Sequence, residues 1–208
     1  MPNDYDLLFV YDAEESGNAI ARADADVKIG VTGGVAGFAR EMDKLLAQGA
    51  TFKRAIFDTH GDIGGIFFGG KEKYSYVERS LDTYTLPAIS TGKDYDRLFP
   101  RRASIYFNGC NVAEGLTGLE FLETAGKIFL RRMGGQVFGH STPGYEIPDW
   151  VLILAGPLAL HRFGGHVYHP SGGERYVYVL PGGAIAPPQP IIEVTDKPGE
   201  KFTVGNKL

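Results

Sequence analysis

A histidine and the single cysteine of the chain each follow an apolar segment that ends in a glycine-rich turn. His60 comes directly after the segment 52–59, and Cys110 comes soon after the segment 104–107. Both segments are typical of short buried strands. Two strand ends of an α/β sheet can hold an imidazole and a thiol in one crevice, where such folds place their sites. His60 can then act as the general base for Cys110 as nucleophile.

Neighbouring groups could complete such a site. A thiolate nucleophile needs hydrogen-bond donors for the oxyanion that develops on its substrate, and the backbone N–H groups of Gly61 and Cys110 are the candidates. Asp58 precedes His60 by two residues, so strand alternation places both side chains on one face and Asp58 could orient the imidazole. The simpler interpretation is that Cys110 is a small buried residue and that His60 belongs to an ordinary turn.

The elements that must position these residues alternate between strands and helices. The predicted strands are 7–11, 52–59, 104–107 and 136–140, and the predicted helices are 34–48 and 116–133. We also predict a hairpin across 64–77 and a short helix within 80–90 that Pro87 interrupts. Strands that alternate with helices predict an α/β fold with a mostly parallel sheet flanked by helices.

The remaining segments are less regular. Residues 12–32 could form a loop or a small hairpin, and residues 150–160 could form a helix or a strand. Added strands are predicted at 166–169 and 175–180. We therefore interpret residues 1–180 as one domain with a C-terminal β-rich extension, and residues 181–208 as a Pro/Gly-rich extended arm. The arm could pack along the surface, on a partner or on a second copy of the chain.

Composition narrows the possible functions. The chain has 208 residues and a net charge of −4, which argues against a nucleic-acid partner or an anionic membrane surface. Its apolar runs are too short to span a bilayer, and its acidic first residues predict no signal peptide, so we expect a cytoplasmic location unless another export route exists. One cysteine excludes an internal disulfide. His161, His166 and His169 lack the compact spacing of a metal site, so we expect neither a metal nor an organic cofactor.

Two sequence blocks resemble a known family. Residues 60–69 (HGDIGGIFFG) look like the SHG-x-x-G-x-x-x-x-G block of the DUF4347 domain, and residues 108–122 (NGCNVAEGLTGLEFL) resemble its GCNVA-x-G-x-x-G-x-x-F block. Residues 135–141 match the strand that follows. That domain is similar to the caspase-like, clan CD cysteine peptidases. The resemblance covers residues 7–142, and Thr59 stands where the family often has serine.

The resemblance implies a caspase-like sheet, with His60 as general base or acid and Cys110 as nucleophile. It also implies that the loop after the fourth strand helps to form the substrate pocket. The candidate pocket residues in that loop are Ser141, Thr142, Glu146 and Asp149. Because the loop is acidic, we expect cleavage after arginine or lysine.

The predicted function is a cysteine endopeptidase that acts on a peptide or protein through a thioester intermediate. Two alternatives remain open at this point. One is a catalytically inactive caspase-like domain that serves as a binding or scaffolding module. The other is a papain-like amidase or cell-wall hydrolase, in which Cys110 would use a downstream histidine such as His161 or His166.

Overall fold

The computed structural model describes residues 3–14, 25–146, 167–168, 173–187, 192–197 and 200–204. The strands, in chain order, are β1 (Asn3–Asp12), β2 (Val27–Val31), β3 (Ala50–Asp58), β4 (Gly61–Asp62), β5 (Gly65–Phe67), β6 (Ser80–Asp82), β7 (Ala103–Asn108), β8 (Gly135–His140), β9 (Tyr145–Glu146), β10 (Val167–Tyr168), β11 (Glu174–Val179), β12 (Ile192–Lys197) and β13 (Glu200–Val204). The helices are α1 (Gly34–Ala47), α2 (Tyr76–Arg79), α3 (Thr85–Ser90) and α4 (Gly115–Phe129), with a 3₁₀ helix at Tyr95–Leu98.

The main sheet has six strands in the order β11-β8-β7-β3-β1-β2. Every neighbouring pair is parallel except β11 and β8, which are antiparallel. Parallel strands need crossover connections, and α1 joins β2 to β3 while α4 joins β7 to β8. The predicted α/β class, with a mostly parallel sheet flanked by helices, is confirmed.

An aromatic core joins the central strands to the helices. The rings of Phe57 on β3 and Phe107 on β7 stack with their centroids 5.0 Å apart, and Phe107 meets Phe121 of α4 at 4.9 Å. Phe38 of α1 packs against Phe57 from the same side. All four side chains are fully buried. This packing holds the ends of β3 and β7 in a rigid framework, because each buried ring removes a large apolar surface from water.

The predicted hairpin across 64–77 is wrong in its second strand. β5 pairs with β4 on one side and with β6 on the other, and the segment expected to return as a strand forms α2 instead. The helix begins at a capping box, in which the side chain and backbone of Ser75 both bond to Glu78. The apolar side chains of Tyr76 and Val77 point to solvent and provide no strand face.

Two helix predictions also need correction. Pro87 does not interrupt a helix, since it lies in the first turn of α3, where its missing N–H is tolerated. The predicted helix 116–133 ends early, at Phe129. After Phe129 the carbonyl of Leu130 still accepts the N–H of Gly134, but the carbonyl of Arg131 accepts the N–H of Gly182 at 2.8 Å, from a distant part of the chain. Met133 is consequently 43% exposed.

Further strands lie near the two ends of the chain. Part of segment 12–32, for which the sequence allowed either a loop or a hairpin, forms β2, a half-buried edge strand of the main sheet. β11 confirms the strand predicted at 175–180. β12 and β13, in the predicted C-terminal arm, pair with each other in antiparallel fashion. The open segment 150–160 lies outside the described residues.

Candidate active site

The pairing of β3 with β7 brings the histidine and the cysteine to one place. Asp58 and Asn108, the last residues of the two strands, are direct partners in the parallel register. His60 follows Asp58 by two residues and Cys110 follows Asn108 by two residues. Both residues therefore lie in the segments that leave the carboxyl edge of the sheet side by side. That edge is where open α/β sheets bind their ligands.

Two glycines allow the segments that follow these strands to touch. A Cβ atom on Gly61 would lie 2.8 Å from the carbonyl oxygen of Cys110 and 3.0 Å from its nitrogen. A Cβ atom on Gly109 would lie 3.0 Å from the Cα atom of Gly61. Real Cβ atoms do not approach so closely, so glycine is needed at both positions for close backbone approach. The residue beside His60 therefore lies against the backbone of the candidate nucleophile.

The Cys110 thiol is half-buried and bonds to the loop after β8. The N–H of Gly144 donates to its Sγ atom at 3.2 Å, and the thiol lies 3.7 Å from the carbonyl oxygen of Gly144. A backbone N–H aimed at sulfur stabilises the negative charge of a thiolate. His60 itself is exposed to solvent. The site thus combines a sheltered sulfur with an accessible imidazole.

Two hydrogen bonds to backbone carbonyls fix the loop that carries Gly144. The N–H of Asn111 donates to the carbonyl of Thr142 at 3.1 Å, and the Ser141 hydroxyl donates to the carbonyl of Gly173 at 2.9 Å. Asn111 has a φ of 56°, a left-handed conformation that asparagine tolerates better than most residues. This sharp turn directly after Cys110 leads the chain toward α4.

The backbone N–H groups of Gly61 and Cys110, which are the predicted oxyanion donors, lie outside the hydrogen-bond ladder between β4 and β5. In the ladder between β4 and β5, the N–H of Phe67 donates to the carbonyl of His60 at 2.8 Å, and Gly61 lies opposite Ile66. In such a pair the two residues do not bond to each other, so the N–H of Gly61 points away from β5. The N–H of Cys110 makes no backbone hydrogen bond to any of the described residues.

Asp58 ends β3 as a fully buried carboxylate, and the side-chain amide of Asn108 donates to its Oδ1 atom at 2.8 Å. Asn108 in turn accepts a hydrogen bond from the hydroxyl of Tyr106 at 2.7 Å. His140 lies 2.9 Å from the same hydroxyl through its Nε2 atom. Burial, and then the nearby carboxylate of Asp58, raises the pKa of Tyr106 well above its ordinary value.

Of the four hydrogen-bonded residues at these strand ends, sequence analysis identified only Asp58 as a candidate site residue. It missed Tyr106, Asn108 and His140. The available signal is a repeated pattern, since four apolar strands each end in a polar residue. These residues are Asp12, Asp58, Asn108 and His140, at the ends of β1, β3, β7 and β8. All four are at most 6% exposed. Buried polar residues at equivalent strand ends indicate a site better than one such residue does.

The structure brings part of the predicted pocket to the thiol. Ser141 and Thr142 are half-buried in the loop that reaches Cys110. Glu146 lies in β9, where it pairs with Val167 of β10. Asp149 lies outside the described residues, and so do His161 and His166, on which the papain-like alternative depends.

The described residues contain no group of three or more histidine, cysteine, aspartate or glutamate side chains that could hold a metal ion. Among the same residues we find no helix with both the length and the apolarity that a bilayer crossing needs. No protein-family model matches the chain, and no curated protein sequence does either.

Proposed function

We propose that the protein is a cysteine endopeptidase with His60 and Cys110 as its catalytic dyad. The observation that supports the proposal is the pairing of Asp58 with Asn108, because His60 and Cys110 each follow one of these residues by two positions. The hydrogen bond from the N–H of Gly144 to the sulfur holds the Cys110 side chain in place, which supports its role as nucleophile. The resemblance to caspase-like peptidases supports a peptide as the substrate.

The reaction would proceed in two stages. His60 accepts the thiol proton, and Sγ of Cys110 attacks the carbonyl carbon of the scissile bond. The N–H groups of Gly61 and Cys110 donate to the resulting oxyanion. The C–N bond then breaks, His60 returns the proton to the departing amine, and a thioester remains.

Water completes the cycle. His60 takes a proton from a water molecule, whose oxygen attacks the thioester carbon. The C–S bond breaks, the carboxylic acid product leaves, and the proton returns to the Cys110 sulfur. This chemistry requires an imidazole and a thiol and no co-reactant other than water. The expected preference for arginine or lysine before the cleaved bond belongs to the same proposal.

Thiol alkylation tests the dyad without a known substrate. We expect iodoacetamide to modify Cys110 of the wild type at pH 7 about tenfold or more faster than it modifies the His60→Ala variant, because the imidazole no longer accepts the thiol proton. The variants His161→Ala and His166→Ala are the controls and should react like the wild type. Loss of rate in either control, with His60→Ala unchanged, would support the papain-like alternative. Slow and equal rates in all four proteins would support the scaffold alternative.

A further inference from the structure

A series of buried hydrogen bonds joins the ends of the strands that lead to the candidate dyad, and it has no place in the reaction just described. It runs from His140 on β8 through Tyr106 and Asn108 on β7 to Asp58 on β3. Its two ends lead to the two sides of the site. Asp58 precedes His60 by two residues, and His140 precedes the loop that places Gly144 on the sulfur.

The donors in this series all point the same way. The amide nitrogen of Asn108 faces the Asp58 carboxylate, so the amide oxygen faces Tyr106 and can only accept. The single hydroxyl proton of Tyr106 is therefore given to Asn108. In the bond between Tyr106 and His140 the hydroxyl oxygen must therefore accept, so Nε2 of His140 carries the proton. Every proton is thus donated toward Asp58.

The Tyr106 hydroxyl keeps its proton throughout the ordinary pH range. Burial raises its pKa first, followed by the charges of Asp58 and Glu174 and then by Tyr176. Glu174 and Tyr176 on β11, with Tyr11 as the β1 partner of Asp58, are the titratable groups next to the series. Because Tyr106 cannot release its proton, it acts as a fixed donor.

We propose that Tyr106 and Asn108 are positioning residues, which fix the carboxylate of Asp58 at the end of β3 from which the chain continues to His60. This inference rests on the proposed function. In the proposed reaction His60 becomes an imidazolium when it takes the Cys110 proton, and a carboxylate two residues away in the chain would favour that form. His140 completes the series by donating to Tyr106 and so orienting its hydroxyl.

The test is the pH profile of Cys110 alkylation in the Tyr106→Phe variant. We expect its rate to be about tenfold below that of the wild type at pH 7, because Asp58 loses its polarised donor. The two rates should converge above about pH 9, where an ordinary thiol ionises unaided. The control is Ser104→Ala, which removes a hydroxyl from the opposite end of β7, where it accepts the Gln136 amide at 3.0 Å.

Asp58→Asn should reduce the rate at least as much as Tyr106→Phe does, and combining the two changes should add no further loss. A Tyr106→Phe rate that equals the Ser104→Ala rate, or that falls by one factor at every pH, overturns the inference. If the wild type itself reacts independently of His60, the proposed function fails instead.

The proton direction has its own measurement, which needs no variant. Nitrogen NMR of the wild type should find neutral His140 with its proton on Nε2. A proton on Nδ1 would reverse the series and overturn the inference even if Tyr106→Phe does not fold.

Discussion

At the amino end of the main sheet charged side chains meet in water, whereas at the carboxyl end polar side chains meet inside the protein. Asp4 pairs with Arg101 at 3.1 Å, and Asp6 pairs with Lys53 at 3.5 Å and also with Arg54. These side chains are 40–62% exposed. Such pairs contribute little to stability, because water screens them and long side chains lose entropy when they are held.

The carboxyl end is costlier to build. Asp58 and Asn108 are fully buried and His140 is 6% exposed, so each has lost its contact with water. A buried polar group is tolerated only when its hydrogen bonds are replaced. The exposed charges at the amino end favour solubility. The buried polar groups at the carboxyl end cost free energy of desolvation, which a functional site at that end would explain. Three pairs of measurements examine that difference.

The largest expected difference comes from removing an amide at each end. Asn108→Ala should lower the free energy of unfolding by about 2–4 kcal/mol, since buried Asp58 and Tyr106 both lose a partner. Gln136→Ala removes an amide that donates to Ser104 at the other end of the neighbouring strands. We expect it to cost less than about 1 kcal/mol. Urea unfolding compares the two, and equal losses would refute the contrast.

Two glycines provide the second comparison. Gly61→Ala should lower the unfolding free energy by about 2 kcal/mol, because the new methyl group would meet the backbone of Cys110. It should also slow alkylation of Cys110. Gly49 lies before β3 with open space around it, and only the φ of 65° at Gly49 disfavours alanine there. For Gly49→Ala we expect a cost of about 1 kcal/mol and unchanged alkylation. A fast-reacting thiol in Gly61→Ala would contradict the close-approach argument.

The smallest effect belongs to the surface ion pairs. The hydrogen bond from Arg54, then the charges of Arg54 and Lys53, hold the pKa of Asp6 below its ordinary value. A lowered pKa in the folded state means that the stabilisation is present above 3.8 and is lost as the pH falls below it. Asp6→Asn should therefore cost at most about 1 kcal/mol at pH 7 and almost nothing at pH 2. Urea unfolding of both proteins at the two pH values measures this, and a difference that persists at pH 2 would exclude the charge as its cause.

Apolar runs made the central sheet predictable. β1 contains four consecutive buried residues, β3 ends in a short apolar run, and β7 and β8 alternate between buried and half-buried residues, so each carries a recognisable apolar segment. The helix after β2 has a clear apolar stripe. β2 was not predicted, because an edge strand of sequence VKIGV buries only part of its surface. α2 was mistaken for a strand because Tyr76 and Val77 favour strands, although the spacing of Ser75 and Glu78 already signalled a helix start.

The candidate site was predictable where it depends on strand ends and unpredictable where it depends on loops. His60 and Cys110 each follow an apolar run that could be recognised as a strand, and the structure pairs these two strands directly. The N–H of Gly144 that donates to Cys110 belongs to a loop, and hydrogen bonds to Asn111 and Gly173 determine the path of that loop. No local sequence pattern predicts those contacts. The polar ends of four strands were visible in the sequence, but their burial depends on tertiary packing.

The contact between Gly61 and the Cys110 backbone has a consequence for how the protein folds. The paired residues Asp58 and Asn108 lie 50 positions apart, so the chain must close a long loop before β3 and β7 can meet. Non-local parallel pairing is intrinsically slow. A nascent chain in which β1, β2 and β3 have already associated would still carry an ordinary thiol. During refolding, the onset of the rapid Cys110 labelling that the proposed dyad predicts would therefore report the pairing of β7 with β3.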